Sequence, residues 1–327
     1  MSNCKNCGVE LDWSNSALCI KCKAPICETC FETNQMKCKE CNPKEEPLQL
    51  EAIRRSHLED YKMCPYYFKL NVVDGLEANT HPLAQLGIDL HDLYDLTQRG
   101  EIDKSELDKR IDTIIDSYDF KQDWLWEKYT PDEFKTKAHV CNQNFKTILK
   151  DLGEPIAFEE RIFFDVGEGL PQITIAYDRL EKDEYGNLHI KDWKTGKCMS
   201  GKKLTTDLQP ALYLYAVKTK YGVMPETFTL YYLSDTYKDG KYKERIYHKS
   251  NDNTYVCTVG KKQYVQDISA QLKEVKRICG HIKNKHFSVP ERETFKCKVC
   301  AYKQNGQCQG SLTQDFYNTI GGEWEWK

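Results

Sequence analysis

The chain is 327 residues long, 30% charged and 40% hydrophobic, with a formal net charge of −3 at pH 7. That balance excludes a protein that coats nucleic acid through bulk electrostatics, because neutralising phosphates requires clustered cations. No apolar run approaches membrane-spanning length, and sixteen cysteines without a signal peptide point to metal ligation in a reducing, cytoplasmic setting.

The cysteines begin at once. Cys4 and Cys7, Cys19 and Cys22, Cys27 and Cys30, and Cys38 and Cys41 form four Cys-x-x-Cys pairs within the first 45 residues. Each pair supplies half of a tetrahedral site, so two Zn²⁺ ions are expected in a module over residues 1–46 that folds only around its metals. The tight Cys19–Cys30 centre resembles cross-braced zinc modules of the RING and FYVE type. In that arrangement Cys4, Cys7, Cys27 and Cys30 hold one ion and Cys19, Cys22, Cys38 and Cys41 the other; two consecutive ribbons are the alternative. Such a module stabilises the N-terminus, grips DNA or docks a protein partner. A Pro-, Lys- and Glu-rich break at Asn42–Pro47 ends it.

A mostly helical stretch follows, from about Leu48 to Leu152, with Cys64 near its start, Trp124 and Trp126 within it, and a helix over Pro82–Arg99 that carries Gly87 and His91. Glu159 and Glu160 then precede Arg161-Ile-Phe-Phe, the first strand of a sheet. Two strand-like runs, Gln172–Glu181 and Leu188–Lys194, flank the turn-prone Lys-Asp-Glu-Tyr-Gly-Asn. A hairpin centred on Tyr185 sets Asp178 opposite Asp192, with Cβ atoms about 5 Å apart, and places Lys194 on the same face. Two hard carboxylates can hold Mg²⁺ or Mn²⁺ while leaving room for water and a phosphate oxygen. A nearby ammonium can stabilise a phosphorane-like transition state or help to orient the attacking water.

Thr205, Thr206 or Asp207 caps the next helix, about Asp207–Tyr221, on which Gln209 and Tyr213 lie one turn apart. The sheet and its helices run to about Asp235. Asp239-Gly240-Lys241 repeats the Asp-x-Lys pattern, but in a polar turn with no upstream acid, and is read as solvated. An amphipathic helix, about Lys261–Lys285, leads to Cys297, Cys300 and Cys308. These three thiols with Cys64 make a four-sulfur set suited to zinc or an iron–sulfur cluster.

The ordered set Gly87-x3-His91, Asp178, Asp192-x-Lys194 and Gln209-x3-Tyr213 resembles the PD-(D/E)XK nuclease superfamily. Its iron–sulfur RecB and AddB-like branch, with the CRISPR-associated RecB-like exonucleases, is the nearest likeness. The resemblance implies a mixed α/β sheet flanked by helices over residues 47–327, with a helical insertion at about 69–152. It implies His91, Asp178 and Asp192 as ligands of Mg²⁺ or Mn²⁺, and Lys194, Gln209 and Tyr213 as catalytic residues. One of the two glutamates would support the site from behind. It also implies a [4Fe-4S] cluster on Cys64, Cys297, Cys300 and Cys308, closing the chain like a staple, with zinc in the same cage as the alternative. The expected activity is DNA hydrolysis at single-stranded or frayed ends.

Lys197, Lys202 and Lys203, and the basic residues from Lys273 to His286, are candidate DNA contacts, while twenty tyrosines and six tryptophans offer stacking surfaces. The absence of a Gly-x4-Gly-Lys-Ser/Thr loop excludes a fused helicase motor. A catalytically silent nucleic-acid adaptor and a zinc-module scaffold are the competing readings.

Overall fold

Burial runs through Gln172–Lys182 almost without a break, polar and apolar residues alike, as in a strand covered on both faces, and this strand is the hub of the structure. The computed structural model describes residues 2–4, 10–11, 16–18, 24–27, 47–76, 80–123, 125–289, 297–298 and 300–308. It divides into residues 1–49 and 50–327. In the first unit, β1 (Ser2–Asn3) pairs with β2 (Glu10–Leu11) and β3 (Ser16–Leu18) with β4 (Pro25–Cys27), both antiparallel.

The second unit is built on an eight-stranded mixed sheet. Its strands are β5 (Ala52–Arg54), β6 (Glu154–Phe164), β7 (Gln172–Lys182), β8 (Leu188–Lys194), β9 (Thr227–Thr236), β10 (Tyr242–Asn251), β11 (Thr254–Val259) and β12 (Lys262–Asp267). The order is β12-β11-β10-β9-β8-β7-β5, with β6 paired to β7. β8 and β9 are parallel and the hairpins antiparallel. Two features depart from the sequence reading. The sheet continues to Asp267, because Lys262–Asp267 pairs with β11 instead of opening the long amphipathic helix expected from Lys261. The supposedly helical stretch also begins with a short strand, β5, parallel to β7.

The helices are α1 (Arg55–Met63), α2 (Pro65–Phe68), α3 (Pro82–Gln98), α4 (Leu107–Asp116), α5 (Pro131–Ile148), α6 (Lys203–Thr206), α7 (Leu208–Tyr221), α8 (Ile268–Lys283) and α9 (Ala301–Gln304). Local chemistry sets their ends. Asp207 caps α7 through the Gln209 N–H at 2.8 Å, and Gly222 (φ 80°) closes it. Thr130 and Glu133 form a reciprocal capping box on α5. Helices α3, α4 and α5 bury Leu90, Tyr94, Ile111 and Phe145 against Trp193 and Tyr231 of the sheet. Trp193 packs edge-to-face on Phe145, with centroids 5.5 Å apart, and removing such a side chain costs about 3–5 kcal/mol. This core anchors the strand segment that carries Asp192 and Lys194. Among the described residues no helix is long and apolar enough to cross a membrane.

Candidate active site

The site arises where the central strand changes partners. β6 follows one edge of β7 along its length. The opposite edge is shared: β8 pairs with Arg179–Lys182 and β5 with Gln172–Thr174. Residues 175–178 between them lack a ladder partner on that edge, and a cleft opens there. The hairpin register runs from Lys182–Leu188 to Arg179–Lys191, so one further step sets Asp178 across from Asp192 at its mouth, as the turn centred on Tyr185 requires. The strands part at that step, and Asp178 Oδ2 accepts a hydrogen bond from the Trp193 N–H.

Helix α3 closes the other wall. Gly87 makes this approach possible, since a Cβ there would stand 2.9 Å from Thr195 Oγ1 in the loop after Lys194. One turn later His91 Nδ1 lies 3.2 Å from Asp178 Oδ1. Glu159 completes the wall. The ladder flanks it with Phe158–Arg179 and Glu160–Tyr177, so it sits across from Asp178. Its φ of 43° holds a non-glycine residue in the left-handed region, a strain of about 1–3 kcal/mol of the kind that clusters at functional sites.

His91, Glu159 and Asp178 each present one ligand atom, all within 4.8 Å of one another. This nitrogen-and-oxygen donor set fits a hard divalent cation. Asp192 faces the same cleft, of about 400 Å³, with Arg55, Lys194 and Tyr213. The Lys194 ammonium pairs with Asp192 Oδ1, and Gln209 Nε2 donates to Asp192 Oδ2 at 2.7 Å.

The electrostatics are those of carboxylates crowded together and largely withdrawn from water at the wall of a cleft. Burial and the Asp178 charge push Glu159 up to about 8, and burial pushes Asp192 up to about 6 against the pull of Lys194. His91 is pushed up to about 9, because the adjoining Asp178 carboxylate outweighs the burial that disfavours its cation. Burial opposes ionisation of Asp178 too, but the His91 partner and Lys194 hold it below the usual carboxylate range. Burial and the surrounding carboxylates raise the Tyr213 phenol. A cation would relieve this crowding, so the donors fit the group in charge as well as in distance.

The structure thus brings together His91, Asp178, Asp192, Lys194, Gln209 and Tyr213. It also resolves which glutamate belongs. Glu159 is a candidate ligand, whereas Glu160 hydrogen-bonds Tyr177, Tyr221 and Lys220 away from it. The sequence reading set both glutamates just before a strand, whereas they lie in the middle of β6, and two adjacent glutamates could not be told apart in sequence. Arg55, at the start of α1, carried no sequence signal. Lys197, Lys202 and Lys203 are exposed and do not line the cleft. Asp239-Gly240-Lys241 is a polar turn in which Asp239 accepts from the Lys241 N–H at 3.0 Å.

The second thiol set gathers at the far end of the chain. Tyr61 donates to the His286 carbonyl at 2.6 Å and Tyr302 to the Leu76 carbonyl at 2.7 Å, drawing the two ends of the unit together. Burial raises the Cys64 thiol, and Cys308 and Cys300 add to the rise; Cys300, itself raised by burial, feels Cys308 and Cys297. In the first unit Cys4 and Cys27 are buried, and the Cys27 N–H donates to Cys4 Sγ at 3.2 Å. Cys7, Cys19, Cys22, Cys30, Cys38 and Cys41 lie outside the described residues, as does Trp124.

Comparison with curated proteins finds no match. A solved structure described as "Crystal structure of SSO0001" aligns at 14% identity over 70% of this chain and 98% of its own. Its TM-score of 0.33 carries no functional argument. The family model of the PD-(D/E)XK nuclease superfamily matches residues 55–308, a span that contains every residue of the cleft. With the mixed sheet and the convergent acids and lysine, this match shows that the chain belongs to the PD-(D/E)XK nuclease superfamily.

Proposed function

We propose that the protein is a Mg²⁺- or Mn²⁺-dependent deoxyribonuclease, an exonuclease acting on single-stranded or frayed DNA ends. The observation that carries this reading is the meeting of Asp178, Asp192, Lys194, His91 and Glu159 in one open cleft. His91, Glu159 and Asp178 would hold the cation, with Asp192 completing its shell. When bound, the cation supplies Lewis-acid polarisation of a phosphoryl oxygen and lowers the pKa of a bound water.

The side chains divide the remaining work. Gln209 orients Asp192 and, by donating to its anion, favours the ionised form. Lys194, held beside the acids by its pairing with Asp192, places a positive charge where the attacked phosphate becomes more anionic. Arg55 and Tyr213 on the cleft wall are placed to orient the sugar-phosphate backbone. The strand of Trp193, buried in the core, keeps Asp192 and Lys194 at fixed separation, so little reorganisation accompanies the reaction.

Cys64, Cys297, Cys300 and Cys308 would hold a [4Fe-4S] cluster. The mutual electrostatic influence of their thiols supports a shared site, and a cluster there would tie the two chain ends of the unit together. Cys4, Cys7, Cys27 and Cys30 would bind one Zn²⁺ and Cys19, Cys22, Cys38 and Cys41 another. The Cys27–Cys4 contact supports the cross-braced pairing, whose module would serve a protein partner or DNA.

Labelled single-stranded DNA, incubated with protein prepared without oxygen, tests the reading. Digestion should require Mn²⁺ or Mg²⁺ and vanish in Asp192→Ala and Lys194→Ala. Binding without hydrolysis under either metal would instead identify a silent adaptor.

A further inference from the structure

Beside the cleft lies a second, smaller pocket of about 170 Å³, lined by Arg54, Arg55, Ser56, Arg161, Thr174 and Tyr213, among others. It occupies the other half of the gap along β7. Arg54 ends β5 opposite Thr174, and Arg161 of β6 pairs with Ala176. Arg55 and Tyr213 border both spaces, so the two are continuous along one wall. Thr174 is four residues from Asp178 on the same strand, about 13 Å along it.

Three independent features give this pocket an anionic ligand's chemistry. Arg54, Arg55 and Arg161 line it, and among the described residues no side-chain hydrogen bond or salt bridge engages them, while Arg55 also feels the Asp192, Asp207 and Glu59 carboxylates. The nine-residue helix α1 begins here with no side chain capping it, so its first N–H groups and the positive end of its dipole face the pocket. Thr174 is 5% exposed, yet its Oγ1 is buried with no hydrogen-bond partner. A buried orphan hydroxyl on the wall of a cationic pocket is a group awaiting an acceptor.

We propose that this pocket binds a phosphate group of the nucleic-acid strand being cut, a short distance along the strand from the scissile bond. The inference rests on the nuclease reading and adds a subsite to it. Three forked donors and a hydroxyl match the several acceptor oxygens that a phosphate presents. The pocket would fix how far the strand advances across the acids, and so where the cut falls relative to the held phosphate.

The test separates binding from cleavage. Fluorescence anisotropy of labelled single-stranded oligonucleotides, measured in EDTA with the full-length protein, reads affinity without catalysis. The double variant Arg54→Gln/Arg161→Gln should weaken binding by about tenfold or more. One lost phosphate contact should also make the salt slope shallower by about 0.7. Inorganic phosphate should compete with the oligonucleotide for the wild type and not for the variant. Thr174→Val should weaken binding while raising the thermal midpoint, because it removes an unpaired buried hydroxyl; a purely structural threonine would not do both.

Oligonucleotides with 5′-phosphate, 3′-phosphate or hydroxyl ends distinguish the source of the phosphate. Preference for one phosphorylated end assigns a terminal group, and equal weakening on all three assigns an internal one. Unchanged affinity and salt slope in both variants, with normal melting, would overturn the proposal. Hydrolysis of bis(p-nitrophenyl) phosphate, too short to span both sites, is measured in parallel. If neither it nor DNA is cleaved under Mn²⁺ by the wild type, the nuclease reading fails separately from the pocket.

Discussion

Gln209→Ala isolates the contact between helix α7 and the catalytic strand. Gln209 and Asp192 are 3% and 2% exposed, and the amide donates to the carboxylate at 2.7 Å. A hydrogen bond to a buried charged group contributes about 1.5–3 kcal/mol, nearly all of it to the ionised form. At 1.36 kcal/mol per pKa unit, its loss raises the Asp192 pKa by about one to two pH units. That group is already pushed up to about 6 by burial, so in the variant it would be largely protonated near neutrality. Cation binding lowers both values but preserves their difference.

The expected outcome is an acid limb of the kcat/KM profile displaced upward by about one to two pH units, with activity returning toward wild type at alkaline pH. Gln209→Glu, which brings a second carboxylate to the same oxygen, should displace it further. Initial rates of Mn²⁺-dependent cleavage from pH 5.5 to 9.5 provide the assay. A loss of activity that is the same at every pH would refute the reasoning, since it would mean that Gln209 acts on the substrate and not through Asp192 ionisation.

Gly87→Val should push α3 away from Thr195, whose hydroxyl would otherwise stand 2.9 Å from the new Cβ. Withdrawing His91 from Asp178 should weaken Mn²⁺ affinity by about tenfold or more, read by isothermal calorimetry, with the far-ultraviolet spectrum unchanged. Cation binding should itself release protons. Below about pH 8, Glu159 and His91 are mostly protonated without metal, so affinity should climb with pH from 7 and level off above about 9. Calorimetry in buffers of different ionisation enthalpy counts those protons. Arg179→Ala should destabilise the protein by about 3 kcal/mol, the lower end for breaking a buried pair, because the buried Glu181 carboxylate bonded at 2.6 Å keeps only the Lys191 ammonium at 3.9 Å; urea unfolding measures this. Anaerobically purified protein is expected to be brown and to carry iron together with about two zinc ions, and Cys64→Ser is expected to lose the colour and the iron but keep the zinc, as metal analysis would read.

The cleft was legible in sequence wherever local rules act. Two strand-like runs, Gln172–Lys182 and Leu188–Lys194, joined by a short turn centred on Tyr185, leave one hairpin register, and that register places Asp178 against Asp192. The approximate span of α7 followed from residue chemistry, and with it the positions of Gln209 and Tyr213, while the structure selects Asp207 as the cap among Thr205, Thr206 and Asp207. The pairing of β11 with β12 was missed because Lys262–Asp267 is polar enough to read as the first turns of an amphipathic helix. Only pairing with the preceding strand makes it β.

Other features depend on segments far apart in the chain. Neither Ala52–Arg54 nor Gln172–Thr174 announces the other, since a parallel pair has no turn to mark it. Yet that contact divides the edge of β7 and creates both the acidic cleft and the arginine pocket. The choice of Glu159 over Glu160 likewise rests on a left-handed backbone at residue 159, a strain that only the surrounding sheet and α3 can impose. Sequence alone determined which side chains were chemically able to act. Tertiary structure decided which of them meet, because long-range strand pairing fixes the gap in which they converge.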